Sequence, residues 1–390
     1  MIDLAKEFRK IFNHANHKIQ TFFAPGRINL IGEHTDYNGG HVFPAAISFG
    51  TYAVGKKRND SKLRFYSMNF PEIGIIECDL NDLAFSEKHN WANYPKGMIK
   101  YVLDAGYSIR NGADILFYGD IPNGAGLSSS ASIEMVTGVL LENLFQLKID
   151  RIDMVRIGQK VENHYLGVNS GIMDQFAIGM GKKDNAILLD CQSLAYDYAP
   201  IKLDHHAIMI INTNKQRTLA GSKYNERRQE CEKALADLQT ELPIKSLGEL
   251  TADTFHQYEQ LIENPIHRKR AKHAITENER TLNALHALRN GNLEEFGALM
   301  NASHRSLRDD YEVTGPELDT IAEAAWRQEG VIGARMTGAG FGGCAIAIVE
   351  NDKKDAFQQY VNQTYQAKFG YEPTFYTAAI SDGAKTAKEQ

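Results

Sequence analysis

Cysteine is scarce in this chain. Four occur in 390 residues, at Cys78, Cys191, Cys231 and Cys344, far apart and with no CxxC among them. That spacing excludes a disulfide framework and a cysteine-held zinc. HExxH is missing too. His14 and His17, and the pair His205-His206, lack further ligand-type neighbours and read as surface histidines. No run approaches the roughly 18 apolar residues of a membrane span. The N-terminus spaces Leu4, Phe8, Ile11 and Phe12 along one helical face, without the uninterrupted apolar segment of a signal peptide. An excess of basic charge is also absent: 43 Lys and Arg stand against 49 Asp and Glu, a net −6. Nucleic acid and an anionic membrane are therefore not expected as partners. Internal repeats and low-complexity linkers are missing. What is present is ordinary: 43% hydrophobic and 24% charged residues, in a length that exceeds one typical core. A cytoplasmic enzyme or binding protein of two domains fits.

Periodicity supports an α+β chain divided near residue 200. Strands are expected over 42–54, 63–67, 74–79, 113–118 and 186–190, with a helix from Lys96. From Ser130 the positions Ile133, Val136, Leu140, Leu144 and Leu147 give a helical stripe, widened by Met135, Val139 and Leu141, so that helix is buried on most sides. Asp150 caps a second helix that closes near Gly167. The glycine-rich segment 167–181 is read without a helix of its own. AIMIINT, 207–213, begins the second domain as a central strand. Helices follow over 222–239, 267–289, 292–308, 316–328 and 353–367, with a strand-loop-strand between the last two and a closing strand near 374–380.

Three segments concentrate chemistry. In FAPGRINLIGEHTDYN, Phe23 to Asn38, a short buried strand carrying Arg27 runs into Glu33, His34, Thr35 and Asp36 with no apolar spacer. A charged tetrapeptide can be a solvated loop. Gly32 before it and Gly39-Gly40 after it supply tight turns at a strand end, where ligand sites tend to sit. The second segment, Pro122 to Ser130, joins a strand to the buried helix. Its glycines and serines and the helix N-terminus suit a polyphosphate, although a serine-capped turn would look similar. It has no lysine, so it is not a GxxxxGK[ST] loop, and serine stands where GxGxxG needs its third glycine. The third, Gly338 to Gly343, matches GxGxxG as a string but is followed by a strand. A dinucleotide site needs a helix there, so a tight hairpin, packed against the phosphate loop, is the better reading.

With no lysine in the loop, nucleotide charge must be met by Mg²⁺ and arginine. Ser130 and Glu162 are candidate magnesium ligands, because that ion takes hard oxygens and keeps water and phosphate in its shell. Alone, Glu162 reads as a surface residue, but Val161 and Tyr165 put it near a buried edge. Asp174 is flanked by Ile172, Met173 and Phe176, which would bury a carboxylate; a helix-start cap is the alternative.

These motifs together are similar to a known family. GRINLIGEHTDYNGG resembles the galactokinase signature. PNGAGLSSSAS resembles the ATP loop of the superfamily of galactokinase, homoserine kinase, mevalonate kinase and phosphomevalonate kinase, and GARMTGAGFGGCAIAIV its third motif. The resemblance implies an N-terminal ribosomal-protein-S5-like β/α domain over 1–200 and a ferredoxin-like domain over 201–390, with the active site between them. It implies Arg27 and Asp174 as the catalytic pair. Glu33, His34, Thr35, Asp36, Gly171, Asp174 and Tyr224 would meet the sugar. Ser67 and Gly124, Ala125, Gly126, Leu127, Ser128, Ser129 and Ser130 would meet ATP, with Ser130 and Glu162 on magnesium. The implied reaction is ATP-dependent phosphorylation of the anomeric hydroxyl of α-D-galactose, the first phosphorylation of galactose catabolism. A kinase for N-acetylgalactosamine and a non-catalytic galactose and ATP sensor are the alternatives. A monomer is expected, with a homo-oligomer left open.

Overall fold

A computed structural model describes residues 2–14, 19–122, 125–215 and 220–387. Two large sheets organise it, beside a small one of His41–Val42, Asn185–Asp190 and Tyr196–Pro200. The first has six strands in the order Lys385–Thr386, Thr21–Asn29, Pro44–Lys57, Ala113–Gly119, Lys62–Ser67 and Ile76–Asp79. Its pairs are antiparallel except for the parallel pair Lys62–Ser67 with Ala113–Gly119. The helix Ser129–Phe145 covers this sheet. Every residue from Glu134 to Leu141 is buried, as expected of a helix apolar on most sides, and Met135, Val136 and Leu140 pack with Phe22, Ala53, Phe65 and Ile115.

The second sheet is antiparallel, in the order Val331–Thr337, Cys344–Glu350, His206–Asn212 and Thr374–Ala378. His206–Asn212 comes first in sequence and lies inside, between the third and fourth strands. That is the strand order of a ferredoxin-like domain. Its apolar run has a physical cause, because successive strand side chains face opposite sides. Met209 and Ile211 enter the core under the C-terminal helices, whereas Ile208 and Ile210 meet Ile28, Leu30 and Ile31. The segment carrying Arg27 to Glu33 is thus packed directly on the second sheet.

Three differences from the sequence reading matter. The glycine-rich segment contains a helix, Met173–Met180, which carries Asp174. The end of the chain returns to pair Lys385 with Phe23 and Thr386 with Phe22 on the first sheet. His14 is not a surface histidine: it lies 2.8 Å from the buried Asp114, which also holds Arg58 and Arg64. His17 lies outside the described residues. Asp150 caps its helix by accepting from Ile152 N at 2.9 Å, and Gly167 ends it at φ +76°. Among the described residues no helix is long and apolar enough to cross a membrane.

Candidate active site

The signature strand leaves its sheet at Asn29 and turns at Gly32, whose φ is +93°. A Cβ at Gly32 would stand 2.8 Å from His41 O, so only glycine fits. Two side chains then lock the turn. Thr35 Oγ1 donates to the carbonyls of His41 at 2.6 Å and Gly32 at 2.9 Å, and Asn38 Nδ2 donates to His34 O at 2.7 Å. The turn is therefore built, not solvated: Glu33, His34 and Thr35 are all buried.

Arg27 is 4% exposed and makes a two-pronged contact with Asp174. Nε donates to Oδ1 at 2.8 Å and Nη2 to Oδ2 at 2.9 Å, while Nη1 donates to Gly126 O at 2.9 Å. A guanidinium has five N–H groups, so Nη1 and Nη2 each keep one for a ligand. Burial opposes its charge, but Asp174, Glu33 and Asp36 more than offset this and raise its pKa. Asp174 is not a helix cap. Ile172 holds the cap position, with no side-chain capping bond. Ser128 Oγ also donates to Asp174 Oδ2, at 2.5 Å. Ser128 caps Ser129–Phe145 by position only, because its hydroxyl is spent on that carboxylate.

These groups line one cavity of about 460 Å³. Gly126, Ser128, Ser129 and Ser130 form one wall, at the N-terminus of the buried helix, whose free N–H groups favour an anion. Glu33, His34, Asp36, Gly171 and Tyr224 form the other, with Arg27 and Asp174 between. Asp36 lies so close to Gly171 that a Cβ there would come 1.8 Å from its Oδ2. Burial, then the charge of Asp174, pushes the Asp36 carboxyl up to about 7.

His34 sits at φ +62° with both nitrogens engaged. Nε2 faces Ala339 O at 3.2 Å and must donate; Nδ1, 2.7 Å from Tyr37 Oη, therefore accepts. Burial lowers it to about 3, so the ring is neutral. Tyr224 lies against this ring, with centroids 5.5 Å apart.

At the other end, Glu162 is 6% exposed rather than at the surface. Oε1 accepts from Ser130 Oγ at 2.7 Å and Oε2 from Ser170 Oγ. Burial raises it, and Asp174 adds like charge. The donor set is hard oxygen, and no group of three His, Cys, Asp or Glu gathers among the described residues. A cation completed by phosphate and water fits that set.

Four expected contacts do not line the cavity. Thr35 points into the turn. Ala125 and Leu127 are core residues, although Leu127 O accepts from Arg27 N at 3.2 Å. Ser67 ends its strand and accepts from Asn69 N at 3.2 Å. Gly124 lies outside the described residues. The sequence reading missed Ser170, Tyr37, Glu277, Ser303 and Arg335. Of these, Tyr37 stood inside the signature segment without a role, and Arg335 was a charge in a mostly apolar strand; the others carried no local signal. The hairpin reading of Gly338 to Gly343 holds, with Thr337 paired to Cys344. A Cβ at Gly338 would lie 3.0 Å from Gly126 O, so the hairpin does reach the phosphate loop.

A family model described as the galactokinase galactose-binding signature matches residues 6–57. The GHMP kinases N terminal domain matches 93–182 and the GHMP kinases C terminal domain 284–367. The chain is 61% identical to a galactokinase of Ligilactobacillus salivarius, over 94% of each chain. It is 60% identical to one of Enterococcus faecalis, over 93% of this chain and 94% of that one. Among solved structures it is similar to Lactococcus lactis galactokinase complexed with galactose. The TM-score there is 0.96 at 52% identity, covering 98% of this chain and 99% of that one. A mevalonate kinase of Methanococcus jannaschii shares the fold at 19% identity, with a TM-score of 0.66 over 95% of this chain and all of that one.

Proposed function

The chain belongs to the galactokinase family, and from that premise we propose how its residues transfer the γ-phosphoryl group of ATP to the anomeric hydroxyl of α-D-galactose. The protein is an ATP-dependent sugar kinase. The observation that carries the residue assignment is the Arg27–Asp174 pair, placed between a helix N-terminus lined with serines and a turn of carboxylates in one cavity.

Asp174 accepts the proton of the anomeric hydroxyl or orients it toward phosphorus. The hydroxyl oxygen bonds to the γ-phosphorus as the bond to the ADP oxygen breaks, giving ADP and α-D-galactose 1-phosphate. A loose transition state asks little of a base, so holding the acceptor in line matters more than basicity. Arg27 uses the N–H groups left on Nη1 and Nη2 to stabilise charge on the transferred group, a role worth roughly 10³ to 10⁵ in rate. Gly126 and the serines cradle the phosphates. Ser130 and Glu162 would hold Mg²⁺, which when bound neutralises phosphate charge.

On the sugar side, the carboxylates of Glu33 and Asp36 accept hydroxyl hydrogens. A sugar that misplaces one hydroxyl leaves a buried acceptor unpaired, and sites of this kind reject such analogues by roughly 10⁴ to 10⁵. Glucose, the C4 epimer, should be a poor substrate. We assign residues 1–200 the sugar turn and phosphate loop, and 201–390 the glycine hairpin and Tyr224.

A coupled ADP-release assay over a panel of sugars tests this. Galactose should be preferred over glucose and N-acetylgalactosamine. Equal use of glucose, or turnover of mevalonate alone, would sink the substrate assignment. Asp174→Asn should still bind galactose while kcat falls by roughly 10³ or more. Near-normal kcat in that variant removes Asp174 from its role.

A further inference from the structure

The turn that carries the sugar contacts is held from the second half of the chain. Glu277, midway along the helix Pro265–Arg289, is fully buried beneath it. Its Oε1 accepts from Gly32 N at 3.0 Å, from Glu33 N at 3.3 Å and from Ser303 Oγ at 2.5 Å. Oε2 accepts from Arg280 Nε at 2.8 Å.

Arg335, equally buried, extends the network to the Glu33 side chain. Its Nη1 donates to Asn29 O at 2.9 Å and meets Glu33 Oε1 at 3.4 Å, and its Nε donates to Ser303 Oγ at 3.2 Å. Gly338 N donates to the same Glu33 Oε1 at 2.7 Å. Oε1 of Glu33 is therefore anchored from two sides.

Net stability does not account for such an arrangement. A buried ion pair is often matched or bettered by apolar side chains of the same size. What apolar side chains cannot do is fix the orientation of a peptide unit. The Gly32–Glu33 peptide follows a glycine at φ +93°, a conformation with little steric preference of its own. Two N–H groups converging on one carboxylate oxygen remove that freedom. Burial would raise Glu277, but Arg280 leads the neighbours that hold it at about 2, so the acceptor is ionised near neutrality.

We propose that Glu277 is a positioning residue for sugar selection: it orients the Gly32–Glu33 peptide and, with Arg335 and Ser303, aims the Glu33 carboxylate at the sugar. The proposal rests on Glu33 being a sugar contact, and it assigns Glu277 no contact with substrate. A role in sugar placement predicts a separation of kinetic constants that a general loss of folding does not produce.

The test uses the full chain and two variants, Glu277→Gln and Ser303→Ala, with active enzyme counted by titration. Glu277→Gln keeps the size and one acceptor but loses the charge. KM for galactose should rise ten- to a hundredfold, as for loss of charge-assisted hydrogen bonds, while KM for ATP and kcat stay within about threefold. The preference for galactose over glucose should shrink by a similar factor. Ser303→Ala, which removes one donor to the same oxygen, should show a smaller shift in the same direction. Galactose-induced thermal stabilisation should weaken in parallel.

Unchanged galactose KM in both variants, or equal rises for galactose and ATP, overturns the positioning role. If Glu277→Gln does not fold, Ser303→Ala decides alone, and a normal galactose KM in it is sufficient to refute. Wild-type protein that does not phosphorylate galactose is a different outcome: it strikes the proposed function itself.

Discussion

Acidification should weaken galactose binding through Asp36. Its carboxyl lies at about 7 in the sugar-free cavity, raised by burial and then by Asp174, with Glu33 adding to the rise and Arg27 and the Tyr37 amide opposing it. A neutral carboxyl still accepts, but it loses the charge that makes it a good acceptor for two sugar hydroxyls. If binding requires the ionised form, affinity follows the ionised fraction. At about pH 5.5 that fraction is near 3%, so the dissociation constant should be about thirtyfold above its plateau near pH 8.5. The sign of the stability effect is opposite. The folded value lies above the ordinary 3.8, so this carboxyl's contribution to the sugar-free fold is present below about 4 and is lost as pH rises through about 7. Galactose titration by calorimetry across this range measures the affinity, with circular dichroism confirming an intact fold. Asp36→Asn should bind weakly at every pH, with the inflection near 7 gone. A flat profile in the wild type, or an inflection that survives in Asp36→Asn, would refute the reasoning.

Two further substitutions probe the walls of the cavity. Gly171→Ala places a methyl group 1.8 Å from Asp36 Oδ2, so the carboxylate must move. Galactose KM should rise about tenfold or more, with a stability loss of roughly 1–3 kcal/mol measured by thermal melting; an unaltered KM would mean that Asp36 is not where the sugar binds. Glu162→Gln should raise the half-saturating magnesium concentration about tenfold or more, with galactose affinity unchanged when measured without nucleotide. Unaltered magnesium dependence would remove Glu162 from the metal.

The legible parts of the site were those where chemistry and backbone demand coincide in a short segment. Gly32 precedes Glu33 because the chain must turn there, and the serines of 128–130 open a helix whose apolar stripe is plain. The helix carrying Asp174 was missed because eight residues containing Gly179, and flanked by Gly171 and Gly181, give periodicity too little length to register. Its stability comes from packing, with Phe176, Ala177 and Ile178 fully buried. Glu277 and Ser303, and the partner of Arg335, were illegible for a different reason. A buried charge is spared by its partners, and those partners lie far away in sequence. Contacts such as Arg335 to Glu33, 302 residues apart, leave no local pattern. Thr35 shows the converse error. A polar residue inside a site motif was expected to meet the ligand, and it holds the turn instead.

The glycine hairpin unites these observations. Gly338 N anchors Glu33, Ala339 O receives His34, and Gly338 itself lies against Gly126 O, which Arg27 also touches. One short segment of the second half of the chain thus touches both the sugar turn and the phosphate loop. In-line transfer tolerates little error between acceptor and phosphorus, since a shift of about 1 Å can cost on the order of a hundredfold in rate. Gly338 and Ala339 of the hairpin line the same cavity, and the spacing of its two walls depends on them. At φ +82°, and with Gly126 O 3.0 Å from any added Cβ, position 338 accepts only glycine without moving one wall against the other.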